Sequence, residues 1–357
     1  MTFNKKTAVI LFNHGGPDNL EKIKPYLLKL FNDKSINPLP QPFRFLLAKL
    51  ISIKKEKSIK EIYANIGGKS PQLDLTISQA DFLEKELSFF GNFKVFTVMR
   101  YSNPFAKDVI KKVSNYEPDE IIMLPLYPQF SSAITGSSIK DFSNIIKQNK
   151  ESFKGNIKIK TLCCYPTEIG FIKSHARLIT KAISRNYKDN LGDFRFLFYS
   201  HAIPQKLLDK GDPYIYQLSK TIKGVVSSLA TNLKVKEEEI DSQLCFQSKN
   251  SINKWSTPTF DQELKRTAFD NKIPVIIPIS FVCDDAQTLF DLDIKYKEEA
   301  SRLGIANYIR VPALNSDGNF INCLVEICKK IDKNNDCNIF SSCSPKKMKL
   351  CLNSNAT

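Results

Sequence analysis

Short, almost unbroken apolar runs alternate with segments of helical period along nearly the whole chain, and this alternation restricts the fold more than any other feature. The runs fall at 8–13, 94–99, 120–125, 157–163, 195–200, 242–247, 272–279 and 308–311. The longest apolar ones are those at 195–200 and 272–279, which read as buried strands. Between them, segments such as 79–89, 105–114, 170–184, 215–229 and 288–303 repeat apolar residues at helical spacing. Strands that are greasy on both sides need cover on both sides, and right-handed helical crossovers supply it. The expectation is an α/β protein of two similar doubly wound domains, each a parallel four-stranded sheet flanked by helices. Residues 6–165 form the first domain and 166–331 the second. From 332 to 357 the composition turns to Asn, Ser and Lys without period, which reads as a tail containing Cys337, Cys343 and Cys351.

Charge narrows the partners less than its size suggests. The net +15 arises from 52 Lys and Arg against 37 Asp and Glu. The basic residues do not interleave with aromatics at nucleic-acid-binding spacing, so no nucleic acid is expected, and a small polyanion or an anionic membrane surface fits better. The stretch 43–55, from Phe43 through Leu46, Leu50 and Ile53 to Lys55, is both basic and apolar. It reads equally as a core-facing helix with solvated lysines and as one that dips into a bilayer surface. No apolar run approaches the ~20 residues needed to span a membrane. With the first strand following within a few residues of Met1, the expectation is a cytoplasmic protein, with peripheral contact at the inner membrane as its membrane-facing version.

Nine cysteines in such a chain do not suggest a disulfide framework. Cys163 or Cys164 together with Cys337, Cys343 and Cys351 would supply the four thiolates of an iron–sulfur cluster, although the spacing matches no tight motif. The turn Gly15-Gly16-Pro17 lacks dinucleotide-fingerprint spacing, and no phosphate-cradling loop with Gly-Lys-Ser/Thr follows any strand.

The chemistry concentrates beyond two strand ends. His201 follows the run 195–200, where a neutral imidazole can bind a metal or accept a proton, and where ligands gather in open α/β sheets. After the run 272–279 come Asp284 and Asp285, which read as helix caps or as site carboxylates. Gln287, Asp291 and Lys295 then recur every four residues and share a helix face. If the two strand ends are neighbours, imidazole, carboxylates and amide line one site suited to a metal ion or a proton relay.

These residues sit in a longer series of ordered motifs. They include 11–17 (Leu-Phe-Asn-His-Gly-Gly-Pro), 66–71 (Ile-Gly-Gly-Lys-Ser-Pro), Met99-Arg100-Tyr101, 126–132 with 135–138, Ser200-His201 with Pro204, 211–214, Gln247-Ser248-Lys249 with Trp255, 281–294 and 312–315. Over nearly its whole length the chain resembles ferrochelatases, the enzymes that insert ferrous iron into protoporphyrin IX to form protohaem. The resemblance implies a lyase of two Rossmann-like domains with a porphyrin cleft between them and with protoporphyrin IX and ferrous iron as substrates, and makes His201 metal ligand and proton acceptor. It places Lys55, Tyr63 and Ser70 against the porphyrin and its propionates, and Arg100, Tyr101 and Tyr127 at further pocket positions. It also makes the basic apolar segment the lip that meets membranes.

Three positions depart from the family pattern. His-Gly is His201-Ala202, Asp-His is Asp284-Asp285, and the family's acid is Gln287, whose amide cannot serve as a carboxylate base. Gln287 keeps the position of a metal contact, while Asp285 or Asp291 could take over the missing acid. The alternative expectation is a catalytically weakened porphyrin- or haem-binding homologue.

Overall fold

The computed structural model describes residues 5–186, 190–249, 254–333 and 350. It divides into two compact units: residues up to Cys163 together with Leu324–Lys333, and Cys164–Cys323.

The first unit holds β1 (Lys6–Asn13), β2 (Asn92–Met99), β3 (Glu120–Pro125) and β4 (Lys158–Thr161) in the order β2-β1-β3-β4. The second holds β5 (Phe194–Ser200), β6 (Ser242–Phe246), β7 (Ile273–Pro278) and β8 (Ile309–Arg310) in the matching order β6-β5-β7-β8. Every pairing is parallel. The fold is therefore the expected pair of parallel four-stranded α/β sheets.

The central strands β3 and β5 are buried along their whole length, and β1 and β7 nearly so. That is why they are unbroken runs of Val, Ile, Leu and Phe. The outer strand β2 starts with an exposed–half-buried alternation and becomes buried toward Met99. Leu197, Tyr199 and Ile276 pack with Phe260, Phe281, Leu292 and Tyr296 on one face of the second sheet, while Phe196, Phe198, Val275 and Ile277 pack on the other with Leu218, Val225 and Leu229. Helical cover on both faces follows from strand side chains pointing alternately up and down.

The two sheets repeat one another in register. Phe12 pairs with Pro125, and Tyr199 pairs with Pro278. Phe12 O accepts from Leu126 N (2.9 Å) as Tyr199 O accepts from Ile279 N (3.0 Å), and Asn13 O accepts from Arg100 N (2.9 Å) as Ser200 O accepts from Gln247 N (2.9 Å).

The last helix, Gly318–Lys333, passes from the second unit into the first. In the first unit it is held by Lys160 on β4, whose Nζ donates to the carbonyls of Ile331 (2.8 Å) and Asp332 (2.9 Å) and pairs with Glu120 (3.0 Å). Lys160 and Glu120 are each 2% exposed, so both charges depend on these partners.

The basic apolar stretch belongs to a 23-residue helix, Phe43–Asn65. Phe43, Leu46, Leu50 and Ile53 on it are exposed. Among the described residues no helix is long and apolar enough to cross a membrane.

Candidate active site

His201 is the first residue beyond β5. Its backbone N–H donates to Ser280 Oγ (3.3 Å), just past β7, and its ring lies against Phe281 with centroids 4.0 Å apart. The ends of β5 and β7 thus meet as the sequence argument required. Below His201, Ser200 Oγ and Tyr214 Oη are 2.9 Å apart, fixing the strand end from the helix Tyr214–Leu233. The methyl of Ala202 belongs to the same core cluster as Ile203 and Tyr214. The departure from glycine is therefore absorbed in packing.

The segment after β7 divides its four polar positions among different tasks. Asp284 is ion-paired with Arg310 of β8, and accepts from Asn315 Nδ2 (2.8 Å) and Thr288 Oγ1 (2.9 Å). Burial alone would raise its pKa, but the Arg310 guanidinium and these hydrogen bonds hold it below the ordinary value. Asp285 caps the following helix: its Oδ1 accepts from the backbone N–H of Gln287 and Thr288, both at 2.9 Å. Burial, with Asp284 and Asp291 nearby, pushes its pKa up to about 7 against the pull of those two N–H groups. It is a carboxyl that changes charge near neutrality.

Gln287 and Asp291 lie on the helix that follows. Thr288–Lys295 is wound as a π-helix before continuing as the α-helix Tyr296–Arg302, and such wide turns are frequent at functional sites. Asp291 Oδ2 accepts from Tyr199 Oη and from Gln247 Nε2, each at 3.2 Å, so β5 and the end of β6 both orient it. Gln287 Oε1 is buried without a hydrogen-bond partner among the described residues. A buried carbonyl-type oxygen left without a donor is costly unless a ligand or a water satisfies it.

Most of the remaining expected residues gather in the first unit around the loop after β1. Gly16 allows Ser70 and Tyr63 to approach, because a Cβ there would lie 2.5 Å from Ser70 Oγ and 3.4 Å from Tyr63 Oη. Ser70 N also donates to Pro17 O (2.8 Å). Tyr101 and Arg100 follow β2 and are bound by a residue absent from the expectation, Asp33, whose Oδ2 accepts from Arg100 Nη2 (2.6 Å), Tyr101 Oη (2.8 Å) and Ser137 Oγ (2.6 Å). Arg100 also pairs with Asp141 (3.4 Å). Tyr127 follows β3, half-buried against the sheet core. Lys55 stands apart, exposed on the long helix with its Nζ 5.9 Å from the Phe31 ring centroid.

Cys163 and Cys164 are buried, and the Cys164 thiol accepts from Gln217 Nε2 (3.4 Å). Cys337, Cys343 and Cys351 lie outside the described residues. Among the described residues no group of three or more His, Cys, Asp and Glu side chains is arranged to hold a metal.

Sequence reasoning missed Arg310, Asp33 and the pair Tyr199 and Gln247. The one local signal was a hydroxyl-bearing Tyr199 at the end of the aromatic and aliphatic run 196–199, since a buried phenol needs a hydrogen-bond partner.

A family model for ferrochelatase matches residues 6–331. A ferrochelatase of Rickettsia felis is 42% identical over 342 residues, covering 95% of this chain and 94% of that protein. One of Pelagibacter ubique is 42% identical over 328 residues, covering 91% of each. Among solved structures, SirB from Bacillus subtilis with Fe3+ aligns over 95% of this chain and 99% of that one, with a TM-score of 0.52 at 10% identity, a likeness of fold. With the family model spanning both sheets and the relatives matching nearly end to end, the chain belongs to the ferrochelatase family.

Proposed function

We propose that this ferrochelatase-family lyase carries out its iron insertion at the carboxyl ends of β5 and β7, with His201 as metal ligand and proton acceptor. The reaction takes ferrous iron and protoporphyrin IX to protohaem, and two pyrrole N–H protons leave as the metal enters. The observation that carries the residue assignment is His201 one step beyond β5, its ring against Phe281, which opens the segment bearing Asp285, Gln287 and Asp291.

The missing family carboxylate is replaced in function by Asp285. It is the acid of the segment whose charge changes near pH 7, as a group that must alternately accept and release protons requires. Asp291, held by Tyr199 and Gln247, adds a fixed acceptor one helical turn on. Gln287 offers a neutral oxygen, suited to a metal or a pyrrole N–H and unable to take up a proton at neutral pH. Asp284 positions this segment through Arg310. Tyr63 and Ser70 supply hydroxyls for the porphyrin periphery, Tyr101 a pocket ring whose hydroxyl is held by Asp33, and Lys55 an ammonium for a propionate. Tyr127 lines the same side, and Arg100 is held for its role by Asp33.

Anaerobic iron insertion by the unsubstituted chain beside His201→Ala tests the assignment. A loss of ~10²-fold or more in kcat with porphyrin binding retained is expected. A fully active variant would remove His201 from the mechanism.

Two finer parts of the proposal concern where the protein works and what else it holds. The exposed Phe43, Leu46, Leu50 and Ile53 beside Arg44, Lys49 and Lys54 support peripheral contact with an anionic inner-membrane surface. Leu50→Glu should release the protein from anionic vesicles in a sedimentation assay, whereas no vesicle binding by the unsubstituted chain would end this part. An iron–sulfur cluster at Cys163 or Cys164 with the three tail thiols predicts visible thiolate-to-iron absorption in the purified protein, and a colourless preparation excludes it.

A further inference from the structure

Around the exits of β5 and β7 stand three hydroxyl groups to which the proposed chemistry gives no role, those of Ser200, Tyr214 and Ser280. Ser200 is fully buried and Tyr214 nearly so. Ser280 Oγ accepts from the His201 backbone N–H (3.3 Å), and Tyr214 Oη hydrogen-bonds with Ser280 and with the His201 backbone. The same phenol oxygen is 2.9 Å from Ser200 Oγ, which donates to the His201 carbonyl (3.4 Å). The chain of bonds thus leaves His201 by its N–H and returns to it by its C=O.

The direction of this chain follows from its ends. A backbone N–H only donates and a carbonyl only accepts, so Ser280 passes its own proton to Tyr214, Tyr214 to Ser200, and Ser200 to the His201 carbonyl. Burial pushes the Tyr214 pKa up to about 12 against the hydrogen bonds from Ser200 and Ser280, so the phenol keeps the proton it has to donate. Hydrogen bonds running one way polarise each other, and a buried member that loses its partner bears the desolvation cost of that group. Within the ring Ser280 alone lies past β7, whereas Ser200 ends β5 and Tyr214 opens the helix Tyr214–Leu233. The next residue is Phe281, whose ring backs the imidazole with centroids 4.0 Å apart. Ser280-Phe281 therefore holds His201 twice, by its backbone and by its ring.

We propose that Ser280 is a positioning residue for iron insertion, closing a ring of hydroxyls that fixes the His201 backbone and with it the direction in which the imidazole leaves the strand end. The inference rests on the role given to His201 above. An imidazole that takes a proton from a bound pyrrole has to meet it at one distance and angle, and a displacement of about 1 Å can cost on the order of 10²-fold in rate. Ser280 acts through His201 and not on the substrate, so its loss falls on kcat and spares the KM for porphyrin.

Steady-state anaerobic iron insertion by the full chain, with kcat and the porphyrin KM measured separately, is the test. Ser280→Ala is expected to lower kcat roughly tenfold or more while KM stays within about twofold. Ser280→Thr keeps the hydroxyl and is expected to recover most of the rate; a threonine variant as slow as the alanine one would show that the hydroxyl is not what matters. In a His201→Ala background, Ser280→Ala is expected to cost nothing further, because residues that act through one another are not additive. An equal loss with and without His201, which is what general loosening of the fold would produce, overturns the proposal, as does a kcat within roughly twofold of the original in a folded Ser280→Ala. If that variant does not fold, Ser200→Ala opens the same ring at its other end and is held to the same outcomes. His201→Ala by itself separates the two claims. Inactive His201→Ala beside unaltered Ser280→Ala removes only the role of Ser280, whereas a fully active His201→Ala strikes the reading of His201 and this inference with it.

Discussion

Asp285 has one oxygen committed to two backbone N–H groups and a charge that is expensive to hold in a buried setting, and these opposing demands set its behaviour. With the folded pKa raised to about 7 from an ordinary 3.8, the folded protein keeps the proton longer than the unfolded chain does. Stability from this group is full at low pH, falls as pH rises above the unfolded value, and is gone once pH passes about 7. Asp285→Asn keeps a capping acceptor without the charge. It is expected to raise stability at pH 8 by ~1–3 kcal/mol in denaturant melts, and to lower iron insertion while removing a rise in kcat/KM through neutral pH. A pH–rate profile unchanged by the substitution would take the proton-handling role away from this residue. Asp284 and Asp285 looked interchangeable in the sequence. What separates them is Arg310, 26 residues beyond Asp284, a distance that no local pattern spans.

At the scale of elements, the central strands were legible to within a residue or two because burial on both faces leaves an unbroken apolar signature. Of the outer ones, β2 and β6 match as closely, while 157–163 is trimmed to the four residues of β4 and 308–311 to the two of β8. Their lengths are set by how far the neighbouring strand offers hydrogen bonds, which a strand's own residues do not encode. The ladder of Gln287, Asp291 and Lys295 was read from an α-helical period, and its first members prove to sit at and within a π-helical turn. Nothing in residue spacing distinguishes the two windings over a stretch this short. Lys160 shows the reverse problem, a charge inside a strand pattern that makes sense only once Glu120 and two distant carbonyls are known. Lys160→Met is expected to destabilise the first unit by ~3–5 kcal/mol, the usual penalty for stranding a buried charge, measured by urea unfolding. A loss under ~1 kcal/mol would mean that Lys5, 3.3 Å from Glu120, suffices as its partner.

Across the whole molecule the sequence disclosed the doubled architecture and the second-unit site more fully than the hydrogen bonds that match between β1 and β5, which lie in strand register. The molecule also has an acid limit of its own. His14 and His175 are kept neutral by burial, with pKa values lowered to about 4 and about 3. A histidine with a depressed folded pKa contributes fully above the unfolded value near 6.5 and loses that contribution as pH falls below it. The two together steepen acid unfolding by up to ~2.7 kcal/mol per pH unit between about pH 6 and pH 4. His175→Phe keeps a ring beside Phe171 and removes one titration, so it should flatten the acid limb by about half; an unchanged limb would show that His175 is hydrated before the protein unfolds.

The grip of Lys160 on the last helix also bears on how the chain matures during synthesis. The carbonyls of Ile331 and Asp332 leave the ribosome some 170 residues after the lysine that binds them, so Lys160 waits with two of its partners missing until translation is nearly over. The amino-terminal sheet, the first to be made, is then among the last parts to be finished, and the usual order of one domain folding after another does not apply here.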